Sequence, residues 1–112
     1  MTPLNEQDFR VQSDLALDAA RRALGPLADR EGFEVELQNG VLNVIFEEPA
    51  EAKFVVSPNA PVRQIWVSAH SKSFKLDWDA ARDAFVLGGT GQTLAELIGD
   101  AVGQQLGEKV TL

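Results

Sequence analysis

The sequence contains no cysteine. Disulfides, thiolate metal sites and cysteine nucleophiles are therefore excluded, and a reducing compartment is allowed without being required. Histidine is nearly as scarce: His70 stands alone beside Ser71, without the spaced partners that a metal site or an acid-base pair needs, and it is expected to be a loop residue at a strand end. Long apolar runs are missing too. The stretch Val41 to Phe46 is interrupted by Asn43 and falls far short of the roughly 20 residues that a spanning helix requires, so a membrane role is not expected. Positive charge is in deficit, with 10 Lys and Arg against 17 Asp and Glu and a net charge of -7. Such a chain is poorly suited to neutralising phosphates, and nucleic acid is not expected as a partner. No basic segment leads into an apolar one at the N-terminus, and Glu6 and Asp8 stand where a mitochondrial transit peptide avoids acids. The expectation is a cytoplasmic or already processed chain.

What is present fits one domain over residues 1–112, since 112 residues at 45% hydrophobic content suffice for a single core and not for two. After Thr2-Pro3, Asn5 is placed to cap a helix with Asp8 three positions on. Apolar residues then recur at Phe9, Ala16, Leu17, Ala20, Ala23, Leu24 and Leu27, the spacing of one amphipathic helix. Gly25-Pro26 predicts a kink or a stop near Leu24, because proline removes an intrahelical hydrogen bond and crowds the carbonyl four residues back.

From Phe33 the period drops to two. Phe33, Val35 and Leu37 alternate with Glu34, Glu36 and Gln38, and Asn39-Gly40 then offers the residues of a tight hairpin turn. The second strand, Val41 to Glu47, ends in the acidic loop Glu48-Pro49-Ala50-Glu51, and a third, Lys53 to Ser57, is expected to stop at Ser57-Pro58-Asn59. Val62 to Ala69, Ser73 to Trp78 and Ala84 to Leu87 are expected to be strands four to six. Gly88-Gly89-Thr90-Gly91 follows, then Thr93-Leu94-Ala95-Glu96, which has the form of a capping box opening a second helix. Leu94, Leu97, Ile98, Ala101, Val102 and Leu106 give that helix its apolar stripe, Gly107 ends it, and Val110 and Leu112 remain available to pack. Helix, about six strands, helix predicts an α+β two-layer sandwich, with both helices on one face of an antiparallel meander.

Alternation in the fourth strand puts Ile65, Val67 and Ala69 on the core side and Gln64, Trp66 and Ser68 on the other. Trp66 is then either an anchor for a protein partner or an indole shielded by its sheet neighbours. The same parity exposes Ser73, Lys75 and Asp77 on the fifth strand and buries Phe74, Leu76 and Trp78, bringing Lys75 and Asp77 near Trp66. A second group is acidic: Asp14 and Asp18 one helical turn apart, then Asp29, Glu31, Glu34 and Glu36. Oxygen ligands alone suit hard cations held loosely, and a solvated face is the plain alternative. The glycine-rich run lacks the lysine of a P-loop and its strand-helix-strand setting. No nucleophile is paired with a base, so an enzyme is not expected.

Pro61-Val62-Arg63-Gln64-Ile65-Trp66-Val67-Ser68, followed by Phe74-Lys75-Leu76-Asp77-Trp78 and Gly91-Gln92-Thr93-Leu94-Ala95-Glu96-Leu97, resembles the frataxin family over nearly the whole chain. The resemblance implies a helix-sheet-helix sandwich, cytoplasmic in bacteria, that acts in iron-sulfur cluster assembly as a monomer. It also implies docking on cysteine desulfurase and an iron-sulfur scaffold protein, carried onto Gln64 and Trp66, with Lys75 where a basic contact is usual and Ser68 and Asp77 beside them. Weak surface binding of iron, Fe2+ or Fe3+, is implied for Asp14, Asp18, Glu34 and Glu36, with Asp29 and Glu31 close by. Arg21 and Arg22 stand where relatives carry acids, and Gly25, Pro26 and Ala28 replace others, so the acidic ridge is thinned and partly reversed in sign. Opposite charges one turn away weaken cation binding. Two extra residues near Glu48 to Ala52 and two near Ala80 to Asp83 fall in expected loops. A small acidic secretion chaperone and a weak ferroxidase or iron-storage role are the alternatives.

Overall fold

The N-terminal helix, α1, runs Glu6–Glu31 in the computed structural model, which describes residues 4–48 and 50–112. Thr2-Pro3 and Pro49 of the acidic loop lie outside the described residues. Asn5 caps α1 by accepting from the Asp8 N–H at 2.7 Å. Its buried residues, Phe9, Ser13, Leu17, Ala20, Leu24 and Ala28, fall three or four apart and form one stripe. Ser13 is the member that hydrophobic periodicity passes over. Its hydroxyl donates to the Arg10 carbonyl at 3.1 Å, which removes the cost of burying it.

The helix does not stop or break at Leu24. It continues through Pro26 and closes at Gly32, whose φ of 80° is left-handed and whose N–H donates to the Ala28 carbonyl. A proline inside a helix costs about 3 kcal/mol. Two circumstances offset it here. Pro26 and Arg22, the residue whose carbonyl loses its donor, are both exposed, so water reaches that carbonyl; and Leu24 and Ala28 on either side are buried, holding the last turns against the core.

Six strands follow: β1 Glu34–Gln38, β2 Val41–Phe46, β3 Ala52–Asn59, β4 Gln64–Ala69, β5 Lys72–Asp79 and β6 Ala84–Leu87. They lie in sequence order with every pair antiparallel. Asn39-Gly40, with φ of 53° and 75°, is the two-residue turn its composition predicts. The β4–β5 turn uses His70-Ser71 in the same way, with φ of 51° and 62°, although neither residue favours that backbone. His70 is held there by its ring, which packs on Phe54 at 4.9 Å between centroids while Nε2 lies 3.0 Å from the Ala101 carbonyl.

Two strand limits differ from expectation. β3 runs through Pro58 to Asn59 because its ladder with β2 ends at Val56, and beyond that residue β4 is its partner. This is the edge setting in which a strand tolerates proline. Val62 belongs to a short 3-10 turn, Ala60–Val62, so β4 starts at Gln64. The second helix, α2, spans Leu94–Leu106 and ends at Gly107 with φ of 74°. Beyond it residues 108–112 double back along α2. An added Cβ on Gly103 would lie 2.6 Å from the Glu108 carbonyl oxygen, and one on Gly99 would lie 3.1 Å from that of Val110.

Both helices cover one side of the sheet, as the pattern of the sequence implies. Leu42, Val44, Phe54, Val56, Ile65, Val67, Leu76 and Phe85 are buried beneath them. Aromatic contacts brace both ends of this layer: Phe33–Phe46–Phe54 at 4.6 and 5.2 Å, and Phe9–Phe85–Trp78 at 5.8 and 5.1 Å. Among the described residues no helix is long and apolar enough to cross a membrane.

Candidate functional site

The side of the sheet away from the helices is where a partner can reach it. Along β4, Ile65, Val67 and Ala69 go under the helices while Trp66 and Ser68 are exposed and Gln64 half-buried. Trp66 is 38% exposed, so the shielded alternative holds for only part of the ring. The β4–β5 register sets Lys75 opposite Trp66, Asp77 opposite Gln64 and Ser73 opposite Ser68. Gln64 Nε2 donates to Asp77 Oδ1 at 3.0 Å, and the indole N–H of Trp66 donates to Gln64 Oε1 at 3.0 Å. Lys75 Nζ stands 4.9 Å from the indole centroid, a cation-π distance. Gln64, Trp66, Lys75 and Asp77 thus form one connected surface unit. Both ends of the Gln64 amide are engaged, which fixes its orientation and that of the ring, so less side-chain freedom is lost when a partner arrives. Among the described residues no carboxylate lies within ion-pair distance of Lys75.

Two residues that the sequence reading left out border this unit. Ser57 of β3 lies opposite Trp66 and Val55 opposite Ser68. With Ser68, Ser73 and Lys75 they line a shallow groove of about 240 Å³ beside the indole. Both residues fall within the expected third strand, where the alternation of Val55 and Ser57 with buried Phe54 and Val56 was the available signal; that they flank Trp66 and Ser68 is set by the β3–β4 register.

The acidic residues are dispersed. Asp18 accepts from Arg21 Nη2 at 2.8 Å and pairs with Arg22 Nε at 2.9 Å. The hydrogen bond from Arg21 is the main cause that holds its carboxyl below the usual carboxylate range; the Arg22 and Arg21 charges add to it and partial desolvation opposes it. Glu31 pairs with Arg30 at 3.0 Å. Asp14 is exposed on α1. Asp29, Glu34 and Glu36 border a shallow groove between α1 and β1, and Arg21 lines it as well. Among the described residues no three of His, Asp and Glu converge as a metal site needs. A resident ion with a fixed coordination shell does not fit this set, since one carboxylate is already doubly paired with arginine and a guanidinium shares the groove of three others.

The opening of α2 is closed to anions. Thr93 Oγ1 accepts from the Glu96 N–H at 3.2 Å and Glu96 Oε1 accepts from the Thr93 N–H at 3.1 Å. The Thr93 hydroxyl also donates to Glu96 Oε1 at 3.1 Å. The two bonds the carboxylate accepts, from the backbone first and the hydroxyl second, hold the Glu96 carboxyl below its ordinary range, with Arg82 adding a smaller attraction and desolvation opposing. A carboxylate therefore occupies the place a phosphate would take. The glycine run before it is a turn, in which the Gly91 N–H donates to the Leu87 carbonyl at 2.9 Å and the Leu87 N–H to that of Gln92 at 2.8 Å.

Comparison with known proteins agrees with this architecture. A family model described as the frataxin-like domain matches residues 2–108. An iron-sulfur cluster assembly protein, CyaY, of Pseudomonas aeruginosa is 34% identical over 109 residues, covering 96% of this chain and 95% of its own. The CyaY of Pseudomonas putida strain GB-1 is 32% identical over 96 residues, or 84% and 86% of the two chains. Among solved structures, a frataxin from Psychromonas ingrahamii superposes with a TM-score of 0.72 over 96% of this chain and 97% of its own. At 18% identity that likeness speaks for the fold.

Proposed function

The chain belongs to the frataxin-like domain family, and from that premise we propose that it is a non-catalytic regulatory adaptor of iron-sulfur cluster assembly, working in the cytoplasm and docking on cysteine desulfurase and its scaffold protein. The docking surface in this proposal is the outer face of β4 and β5. Its anchor is Trp66, flanked by Gln64, Ser68, Lys75 and Asp77. The observation that carries it is the outward indole, which donates to Gln64, itself bonded to Asp77, and is topped by the Lys75 ammonium. A large, pre-oriented aromatic beside a cation that has no ion pair among the described residues has the character of an interface hot spot, and the rest of the face supplies small hydroxyl side chains that let a partner backbone approach.

Iron enters the proposal as a loosely held cargo cation on Asp29, Glu34 and Glu36, with Asp14 as an outlying contact. Asp18 and Glu31 contribute little, since their charge is already met by arginine. Oxygen-only contacts without a cage give weak, exchangeable binding.

Calorimetric titration into the assembled desulfurase and scaffold tests the docking. Trp66→Ala is expected to weaken binding about 30-fold, the loss of one hot-spot side chain, whereas Val11→Ala, an exposed residue on the helical side, leaves it unchanged. Equal affinity for the Trp66 variant and the parent protein would mean the face is misassigned. Iron is tested separately by amide shifts: ferrous or ferric ion should move the signals of Asp29, Glu34 and Glu36, and no movement there removes the cargo role while leaving the adaptor role standing.

A further inference from the structure

The helical side carries a feature that docking through β4 and β5 does not use. The outermost ridge of α1, opposite its buried stripe, reads Asp8, Val11, Leu15, Ala19 and Arg22, and all five are exposed. Leu15 is 59% and Val11 51% exposed, two of the four large hydrophobic side chains left in water among the described residues. The steps along the ridge are symmetric about Leu15: Val11 and Ala19 stand one turn to either side, Asp8 and Arg22 two turns. Reversing the helix about Leu15 therefore sets Val11 against Ala19 and the Asp8 carboxylate against the Arg22 guanidinium. A ridge that complements its own reverse in both size and charge meets the requirement of a two-fold interface, where one patch must fit itself.

The shape beside the ridge supports the same partner. An apolar groove of about 480 Å³ runs between α1 and α2 along the flank of Leu15. Its walls are mostly small side chains, Ala16, Ala19 and Ala23 of α1 and Ala95 of α2, with Trp78 among the sheet residues at its base. Protruding branched side chains and an alanine-lined hollow lie next to each other on one face, so each copy offers the knob that the other copy lacks.

We propose that this face is a self-association surface, in which two copies pair α1 antiparallel about Leu15 and place Leu15 and Val11 into each other's groove. The sheet face with Trp66 stays open in such a pair, so the inference does not rest on the docking proposal. The formal charge of -7 on each copy opposes approach. One helix ridge also buries less than the roughly 1,200 Å² of a stable interface. The pair therefore belongs to the weak, concentration-dependent class, and the single chain prevails when dilute.

Sedimentation equilibrium of the full chain across about 10 μM to 1 mM, the range in which a weak pair dissociates, provides the test. The apparent mass is expected to rise toward that of a dimer in the upper decade. Leu15→Arg, at an exposed position that leaves the fold intact by circular dichroism, should hold the chain monomeric throughout. Asp8→Arg and Arg22→Asp should each weaken association, and the double exchange should restore it, a rescue that nonspecific stickiness cannot give. A chain that stays monomeric at every concentration, a dimer that survives Leu15→Arg, or one abolished by Trp66→Ala would each overturn the proposal.

Discussion

Replacing Gly103 by alanine isolates what the C-terminal segment contributes, because a glycine-to-alanine exchange inside a helix ordinarily stabilises by about 0.5–1 kcal/mol through the unfolded chain. Gly25 supplies the reference: an added Cβ there meets nothing within 4 Å, so Gly25→Ala should show that gain. At Gly103 the same methyl group would sit 2.6 Å from the Glu108 carbonyl oxygen, a backbone atom that cannot swing aside. The segment has to lift, and Val110 and Leu112, both half-buried against the core, lose part of their contact. Overpacking of this kind costs about 1–3 kcal/mol, which outweighs the propensity gain, so Gly103→Ala should be net destabilised. The gap between the two variants should then be about 2 kcal/mol, or roughly 8 °C in Tm for a domain of this size. Urea denaturation of both, repeated in a chain ending at Gly107, decides it. Without residues 108–112 the steric cost vanishes and Gly103→Ala should turn stabilising. Equal stabilisation at both glycines in the full chain would refute the packing argument.

Three further outcomes follow from contacts already described. Pro26→Ala should raise stability by about 1–3 kcal/mol in urea denaturation, since it restores the N–H to the Arg22 carbonyl while losing only the stiffness proline gives the unfolded chain. Asp18 titrates below the usual carboxylate range, so its contribution to stability is complete above the ordinary aspartate pKa and fades as pH falls through the lower folded value. Carboxyl carbon shifts should show that low midpoint, moving upward in Arg21→Ala by more than in Arg22→Ala. Glu96 obeys the same sign; Thr93→Ala, which removes the hydroxyl and leaves the backbone donor, should bring its midpoint part of the way back and lower the Tm.

Much of the fold was legible because its signals are local. The period of two from Phe33 onward, the Asn39-Gly40 turn and the Thr93–Glu96 capping box each depend on residues a few positions apart, and each determines its element without help from the rest of the chain. Trp66 was legible for the same reason, since pleating alone turns it away from Ile65 and Val67. What stayed hidden was set by distant partners. Pro26 is carried by the burial of Leu24 and Ala28 against the sheet. Pro58 is tolerated because β2 ends its pairing early, a matter of register, and His70-Ser71 forms a tight turn because α2 and Phe54 anchor the imidazole. Gly99 and Gly103 read as weak helix residues until the returning C-terminal segment shows what they admit. Of the acidic group, the pairing of Asp18 with Arg21 and Arg22 followed from helical spacing, whereas the sharing of one groove by Arg21, Asp29, Glu34 and Glu36 needed the packing of α1 on β1.

The order of the strands has a kinetic consequence. Since every strand pairs with its neighbour in sequence, each ladder closes only a short loop and carries little closure entropy, so hairpins zip in succession. The expensive step is left to the two ends of the polypeptide: α1 and α2 are separated by the whole sheet in sequence, yet they must meet over its apolar side. The barrier to folding should therefore lie in docking these terminal segments, and mutations that slow it should cluster where helix meets strand, at Phe9, Leu17, Phe85 and Leu97, leaving the turns to govern little more than the rate of fraying.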